Sequence, residues 1–142
     1  MLDVVGPLLP VERLVLDLEG ETAADLPAAP DAVLTWADGF FRELLDTWKD
    51  RRPLLYWSER IYEMIGSPTV WDMADEVDII LPRYGAHEPV IPPLWSQWTV
   101  WQFSQSYTCP GVDGPCDVNQ FNGDVDALRA YAKLVVPAPA LV

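Results

Sequence analysis

Basic residues are scarce in this chain, and their scarcity excludes several kinds of partner. The 142 residues include 9 Lys and Arg against 22 Asp and Glu, which gives a formal net charge of −13. Nucleic-acid binding needs clusters of Lys and Arg, and the densest basic spot here is Arg51-Arg52. We therefore expect no nucleic-acid partner. No apolar run approaches the roughly 20 residues of a membrane-spanning helix, so we expect no membrane partner either.

Histidine and cysteine are also rare, which limits metal chemistry. The only histidine is His87, and the two cysteines, Cys109 and Cys116, lie in "CPGVDGPC". This spacing is not typical of zinc sites, so we expect no metal. The cysteines have two open interpretations, a disulfide and two free thiols. We favour the disulfide, which would close about eight residues, contribute roughly 2.5 kcal/mol and indicate an oxidising compartment.

The length and the hydrophobic pattern predict a single α/β domain. Half of the residues are hydrophobic. Strands are predicted at 13–19, 52–57, 77–85, 98–104 and 116–123, and helices at 33–48, 58–66, 69–75 and 124–134. This alternation favours a parallel sheet of five strands. The opening segment "MLDVVGPLLP" has no basic n-region and no A-x-A site, so we do not expect it to be a signal peptide.

Two carboxylates end the first predicted strand, in "VLDLEG". Because side chains alternate along a strand, Asp17 and Glu19 share one face, with Cβ atoms roughly 6–7 Å apart. Each carboxylate favours protonation of the other, and a protonated carboxyl beside an ionised one can hydrolyse glycosides. Asp117 is expected at the carboxyl end of the last strand and would add to the field. An ordinary solvent-exposed strand end remains the alternative.

Several motifs resemble those of the glycoside hydrolase family 25 lysozymes, which are N-acetylmuramidases. "LVLDLEG" is followed by "PLLYW", "ILPRYG" and "WTVWQFSQS", and then by "PGVDGPCDVNQFNG". The family typically ends with a W-Q-[YF]-[ST] strand, a P-G turn and a D-[LV]-[ND]-x-F segment. The similarity covers about residues 10–125. It implies an irregular TIM-like (β/α) barrel.

The resemblance also implies roles for individual residues. Glu19 matches the general acid, and Asp17 matches its D-x-E partner, which orients the acid or polarises the substrate acetamido group. Asp117 matches the carboxylate of the final strand. The positions that match residues lining the substrate cleft are Tyr56, Tyr84, Trp101 and Gln102. The implied reaction cleaves the β-1,4 bond between N-acetylmuramic acid and N-acetylglucosamine in peptidoglycan glycan strands. It uses the 2-acetamido group with retention and needs no cofactor.

A second glycosidase family can be compared directly. Family 18 chitinases end a barrel strand in D-x-x-D-x-D-x-E. The corresponding residues here are Glu12, Val15, Asp17 and Glu19, so the middle acid is absent. The C-terminal motif does not fit chitinases either. The sequence therefore favours the lysozyme resemblance.

The resemblance implies that residues 1–142 form a single but partial catalytic domain of this family. Nothing before "LVLDLEG" matches the family's first-strand motif, D-[IV]-S-x-[WYH]-Q, so the chain resembles the last two-thirds of the domain. The barrel would lack its first strands. Three interpretations remain open: a fragment, half of a split lysin completed by a partner chain, or a glycan-binding domain with weak or no activity. The resemblance implies an extracellular or cell-wall location, as in secreted enzymes and phage endolysins.

Overall fold

Five strands form one sheet in the part of the chain that the computed structural model describes, which is residues 12–20, 22–26, 28–49 and 51–132. The strands are β1 (Val15–Leu18), β2 (Leu54–Trp57), β3 (Asp78–Pro82), β4 (Val100–Thr108) and β5 (Pro115–Phe121). The α-helices are α1 (Val33–Thr47), α2 (Glu59–Met64) and α3 (Val125–Tyr131), and short 3-10 turns cover Ala23–Asp25 and Pro30–Ala32. The predicted mixed α/β fold is confirmed.

The strand order in the sheet follows the order in the chain, β1-β2-β3-β4-β5. The first four strands are parallel, so their carboxyl ends lie along one edge of the sheet. The predicted all-parallel sheet is wrong for β5, which is antiparallel to β4. The connection between these strands is too short for a parallel crossover, which needs a dozen or more residues.

The two faces of the sheet differ in composition. One face carries apolar side chains that belong to the buried core: Leu16, Leu18, Leu55, Trp57, Ile79, Leu81 and Trp101. The opposite face carries Asp17, Tyr56 and Gln102, because side chains alternate along each strand and the strands are paired in register. The helices therefore cover one face, and the polar residues of the predicted site lie on the other.

The helices of the covered face begin and pack for identifiable reasons. The apolar stripe of α1 repeats at helical spacing and buries Val33, Ala37, Phe41 and Leu44 in the core. Ser58 caps α2, since its hydroxyl accepts a hydrogen bond from the Ile61 amide at 3.3 Å. The helix predicted at 69–75 is wrong. That segment forms turns, which bury Met73 and Ala74 and lead directly into β3.

Helix α3 is fixed to the amino ends of the strands. The Tyr131 hydroxyl donates a hydrogen bond to the Asp78 carboxylate at 2.8 Å, and the Arg13 guanidinium carbon lies 5.0 Å from the centre of the Tyr131 ring. Arg13 also donates a hydrogen bond to the Tyr131 carbonyl. Arg52 pairs with the same Asp78 at 2.9 Å. This network joins β1, β3 and α3 at the edge opposite the predicted site.

In the part of the chain that is described, no helix is both long and apolar enough to cross a bilayer.

Candidate active site

The carboxylates of "VLDLEG" lie at the carboxyl edge of β1, as the sequence predicts. Asp17 is paired with Tyr56 of β2, and Glu19 directly follows the last residue of the strand. Both acids are exposed. The chain then turns at Gly20, where a Cβ atom would lie 2.5 Å from the Cβ of Asp25. The close approach of the following loop therefore requires glycine next to Glu19.

A buried amide organises the aromatic part of this site. Gln102 of β4 is only 8% exposed, and its Oε1 accepts two hydrogen bonds. The donors are the hydroxyls of Tyr56 at 2.9 Å and Tyr84 at 3.1 Å. Three of the four predicted cleft residues are thus brought together, and they come from three different segments of the chain.

The Glu19 carboxyl has a pKa raised above its ordinary value. The largest cause is partial removal of the carboxyl from water. The charge of Asp17 comes next, followed by a side-chain hydrogen bond with Asp17 and then by the charge of Asp117. Glu19 is exposed as a whole residue, but neighbouring protein still displaces part of the hydration of its carboxyl. Glu19 therefore keeps its proton to a higher pH than a free glutamate does.

Asp117 raises the Glu19 pKa although it lies on the opposite edge strand of the sheet. β1 and β5 are the two edge strands, and the charge of Asp117 is the smallest of the four causes that raise the Glu19 pKa. Within the described residues, β1 and β5 do not pair with each other.

Tyr56 links the carboxylates to the amide. Its pKa is raised far above the ordinary value, first by burial, then by hydrogen bonding with Tyr84 and the charge of that residue. The charges of Glu19 and Asp17 add to the shift. Tyr56 therefore stays a neutral hydroxyl and a hydrogen-bond donor to a higher pH than a free tyrosine does. The predicted carboxylates and tyrosines form one cluster.

Trp101 is not part of this cluster. Its side chain is 8% exposed and packs in the core, with ring centres 6.3 Å from Trp98 and 5.7 Å from Phe103. Its indole donates a hydrogen bond to the Arg83 carbonyl at 2.7 Å. Neighbouring residues of a strand point to opposite faces, so Trp101 cannot share the face of Gln102. The structure thus separates these two predicted cleft residues.

The cysteine pair does not form the predicted disulfide, because Cys109 and Cys116 are both free thiols in the structure. The β4–β5 ladder pairs Tyr107 with Cys116 and Thr108 with Pro115. Cys109 therefore lies diagonally from Cys116. Diagonal positions in an antiparallel pair are about 7–8 Å apart, beyond the usual Cα separation of a disulfide.

Asn119 is a residue of this face that sequence reasoning missed. It pairs with Gln102 across the β4–β5 ladder and is exposed. The signal was present in "DVN", because alternate residues of a strand share a face and Asn119 is two residues after Asp117. Among the described residues, no group of three or more His, Cys, Asp or Glu side chains is arranged to hold a metal ion.

Known proteins that resemble this chain include lysozymes and muramidases. No family model matches the chain. Lysozyme M1 of Streptomyces globisporus is 35% identical over 60 residues, which is 42% of this chain and 20% of that protein. The chain therefore matches only a small part of the length of this curated relative.

Solved structures are similar over more of the chain. The muramidase from Trichobolus zukalii has a TM-score of 0.68 and 26% identity, and the match covers 84% of this chain and 55% of that one. The family GH25 lysozyme from Aspergillus fumigatus has a TM-score of 0.68 and 24% identity, with 83% and 55% covered. This chain spans about half the length of these structures. The predicted resemblance is therefore confirmed: over most of its length, the chain is similar to the glycoside hydrolase family 25 lysozymes.

Proposed function

We propose that this chain is the carboxyl-terminal part of a muramidase that hydrolyses peptidoglycan. The bond cleaved is the β-1,4 bond between N-acetylmuramic acid and N-acetylglucosamine. One observation carries the proposal: Asp17 and Glu19, whose pKa is raised, lie at the end of β1 beside the Tyr56–Gln102–Tyr84 cluster. The similarity to lysozymes and muramidases supports the same substrate class.

Glu19 acts in this proposal as the general acid. A carboxyl that is still protonated near neutral pH can donate its proton to the glycosidic oxygen as the bond breaks. The raised pKa of Glu19 extends its protonated form to higher pH than in a free glutamate, and its exposure leaves the proton accessible to a polymeric substrate. The site thus has an acid positioned at an open edge of the sheet.

Asp17 acts as the partner of the substrate's own acetamido group. Asp17 and Glu19 are only two residues apart on the same side of the chain, a closer placement than favours an inverting pair, whose carboxyls are roughly 6.5–9.5 Å apart. The acetamido oxygen instead attacks the anomeric carbon while Asp17 accepts a hydrogen bond from the acetamido N–H. Water then opens the cyclic intermediate with retention, and Glu19 takes the proton back. Asp117 adds negative charge that stabilises the positive anomeric carbon.

Tyr56, Tyr84 and Gln102 form the polar floor of the glycan cleft in this proposal. The two tyrosine hydroxyls and the amide are held by their mutual hydrogen bonds, so they meet the sugar without reorganising. In this proposal the five-stranded sheet is part of a TIM-like barrel, whose remaining strands a preceding segment or a partner chain would supply. The enzyme would act outside the cell or in the cell wall, as secreted muramidases and phage endolysins do.

The test is release of reducing sugar from purified peptidoglycan by residues 1–142 and by the Glu19→Gln variant. Loss of a general acid costs about 10²–10⁴-fold in rate, so we expect release that falls by at least 100-fold in the variant. Glu43→Gln is the matched control, because Glu43 is exposed on α1, outside the cluster.

Two outcomes would contradict this proposal. Equal release by the wild type and Glu19→Gln would exclude Glu19 as the acid. A folded chain that binds glycan strands without releasing sugar would be a glycan-binding domain and not an enzyme. A cooperative thermal melt of each variant, recorded by circular dichroism, establishes that the compared chains are folded.

A further inference from the structure

A second concave surface lies at the carboxyl ends of β2 and β3, outside the carboxylate cluster. It is a groove of about 610 Å³, part of which is open to solvent. Its apolar wall includes Trp57, Ile91 and Pro92, and neither Asp17 nor Glu19 lines it. We refer to it as the proline groove, since four of its lining residues are prolines, at positions 82, 89, 92 and 93.

Charged side chains of both signs line the proline groove without ion-pair partners. Glu59 and Glu63 are four residues apart on α2 and therefore lie on the same side of the helix. Arg83 lies beyond the end of β3. None of the three forms an ion pair within the described residues. The groove thus offers an anionic and a cationic position on an apolar surface.

The proline groove and the carboxylate cluster are joined through consecutive residues. Arg83 lines the groove, and Tyr84 donates its hydroxyl hydrogen bond to Gln102 in the cluster. The backbone of Arg83 is held by β4, because its amide donates to the Gln102 carbonyl at 3.0 Å and its carbonyl accepts from the Trp101 indole. The groove and the cluster therefore both lie at the carboxyl edge of the sheet and share the Arg83–Tyr84 segment.

We propose that the proline groove binds the peptide branch of peptidoglycan. The inference rests on the proposed function and adds a second part of the same substrate. Peptidoglycan carries short peptides with free carboxylates, a side-chain amino group and small apolar residues. Glu59 and Glu63 would receive the ammonium group, and Arg83 would receive a carboxylate. An uncharged sugar would leave all three charges unpaired, so charge complementarity favours the peptide over more glycan.

The experiment measures binding of the synthetic tripeptide L-Ala-γ-D-Glu-L-Lys to residues 1–142 by NMR titration. We expect shifts at the groove and an affinity that falls as salt increases. The double variant Glu59→Gln/Glu63→Gln should weaken binding about tenfold, the effect of losing two exposed ion pairs of somewhat under 1 kcal/mol each. The matched control is Glu43→Gln/Glu76→Gln, which removes the same charge from exposed residues outside the groove and should bind like the wild type.

A change in the ligand tests the same contact without altering the protein. Acetylating the lysine amino group should weaken binding to the wild type by a similar factor. The double variant should bind the acetylated and the free peptide with the same affinity, because the contact that acetylation removes is already absent. Absence of tripeptide binding to the wild type, or equal binding of the acetylated and free peptides, would overturn the proposal. The peptide contains no glycosidic bond. Tripeptide binding without sugar release from peptidoglycan would therefore support this inference and contradict the proposed function. Sugar release without tripeptide binding would contradict this inference alone.

Discussion

Glu19 lies two residues after Asp17, immediately beyond the carboxyl end of β1, and the neighbouring charge of Asp17 raises the pKa of Glu19. Alternate residues of an extended chain project to the same side, which places the two carboxyls near each other. Ionising Glu19 beside Asp17 would place two negative charges side by side, so the charge of Asp17 favours the protonated form of Glu19.

The first prediction concerns the titration of Glu19. Its raised pKa means that the protonated, active form is lost as the pH rises through that value, so activity should decline on the basic side. Asp17→Asn removes both the charge and the hydrogen-bond acceptor and should lower the Glu19 pKa. Asp117→Asn should lower it less, because its charge is the smallest of the four causes. Carbon-13 NMR of the labelled Glu19 carboxyl measures the shift.

The same titration affects stability with a definite sign. The folded chain binds the Glu19 proton more tightly than the unfolded chain, so this contribution to stability is complete below the ordinary glutamate pKa. It is lost as the pH rises through the raised value. Asp113→Asn, in the exposed β4–β5 turn, should leave the Glu19 pKa unchanged. An unchanged pKa in Asp17→Asn would contradict the prediction.

The second prediction compares two glycine substitutions. Gly20→Ala should destabilise the fold by about 1–3 kcal/mol, because the new Cβ would lie 2.5 Å from the Asp25 Cβ and the loop must move. Gly39 is exposed within α1, and a Cβ there would meet no atom within 4 Å. Gly39→Ala should therefore stabilise the protein by about 0.5–1 kcal/mol. Urea denaturation measures both, and changes of the same sign would contradict the prediction.

The third prediction concerns the anchor of α3. Tyr131→Phe removes the hydrogen bond to the Asp78 carboxylate, and we expect a loss of about 1–2 kcal/mol in the free energy of unfolding. Tyr107→Phe is the control, because Tyr107 is 54% exposed on the β4–β5 hairpin and should change stability by less than about 0.5 kcal/mol. Equal effects of the two substitutions would show that the anchor does not stabilise the fold.

The fourth prediction concerns the two thiols. Since Cys109 and Cys116 are free, a thiol reagent should titrate two groups in the native chain without prior reduction. Reducing agent should leave the melting temperature unchanged. If the reagent detects no thiols and reduction lowers the melting temperature, Cys109 and Cys116 form a disulfide, as the sequence favours.

The sequence predicts the elements of the site better than it predicts their arrangement. The strand ending at "DLEG" and the five strands follow from local hydrophobic patterns, which is why they are confirmed. The direction of β5 was also predictable, because only the short Pro- and Gly-rich segment 109–114 connects it to β4. The parallel interpretation gave that length too little weight.

The remaining differences arise from contacts between distant residues. The effect of the Asp117 charge on Glu19 depends on the packing of all five strands, because the two residues lie at opposite edges of the sheet, and no local pattern encodes that packing. The position of Trp101 was not predictable from the motif for a different reason. A family motif that contains Trp101-Gln102 does not say which of the two side chains faces the cleft. The Trp101 indole packs in the core and donates a hydrogen bond to the Arg83 carbonyl.

The β4–β5 hairpin gives the three carboxylates unequal mechanical support. Asp17 lies on β1 and Glu19 immediately after it, beside the paired strand β2, whereas Asp117 lies where β4 and β5 extend past the end of β3 as a two-stranded ribbon. Register shifts between Gln102 and Tyr107 interrupt the regular pairing of that ribbon. A change in the angle between the ribbon and the sheet would therefore move Asp117 relative to Glu19 while the spacing of Asp17 and Glu19 stayed the same.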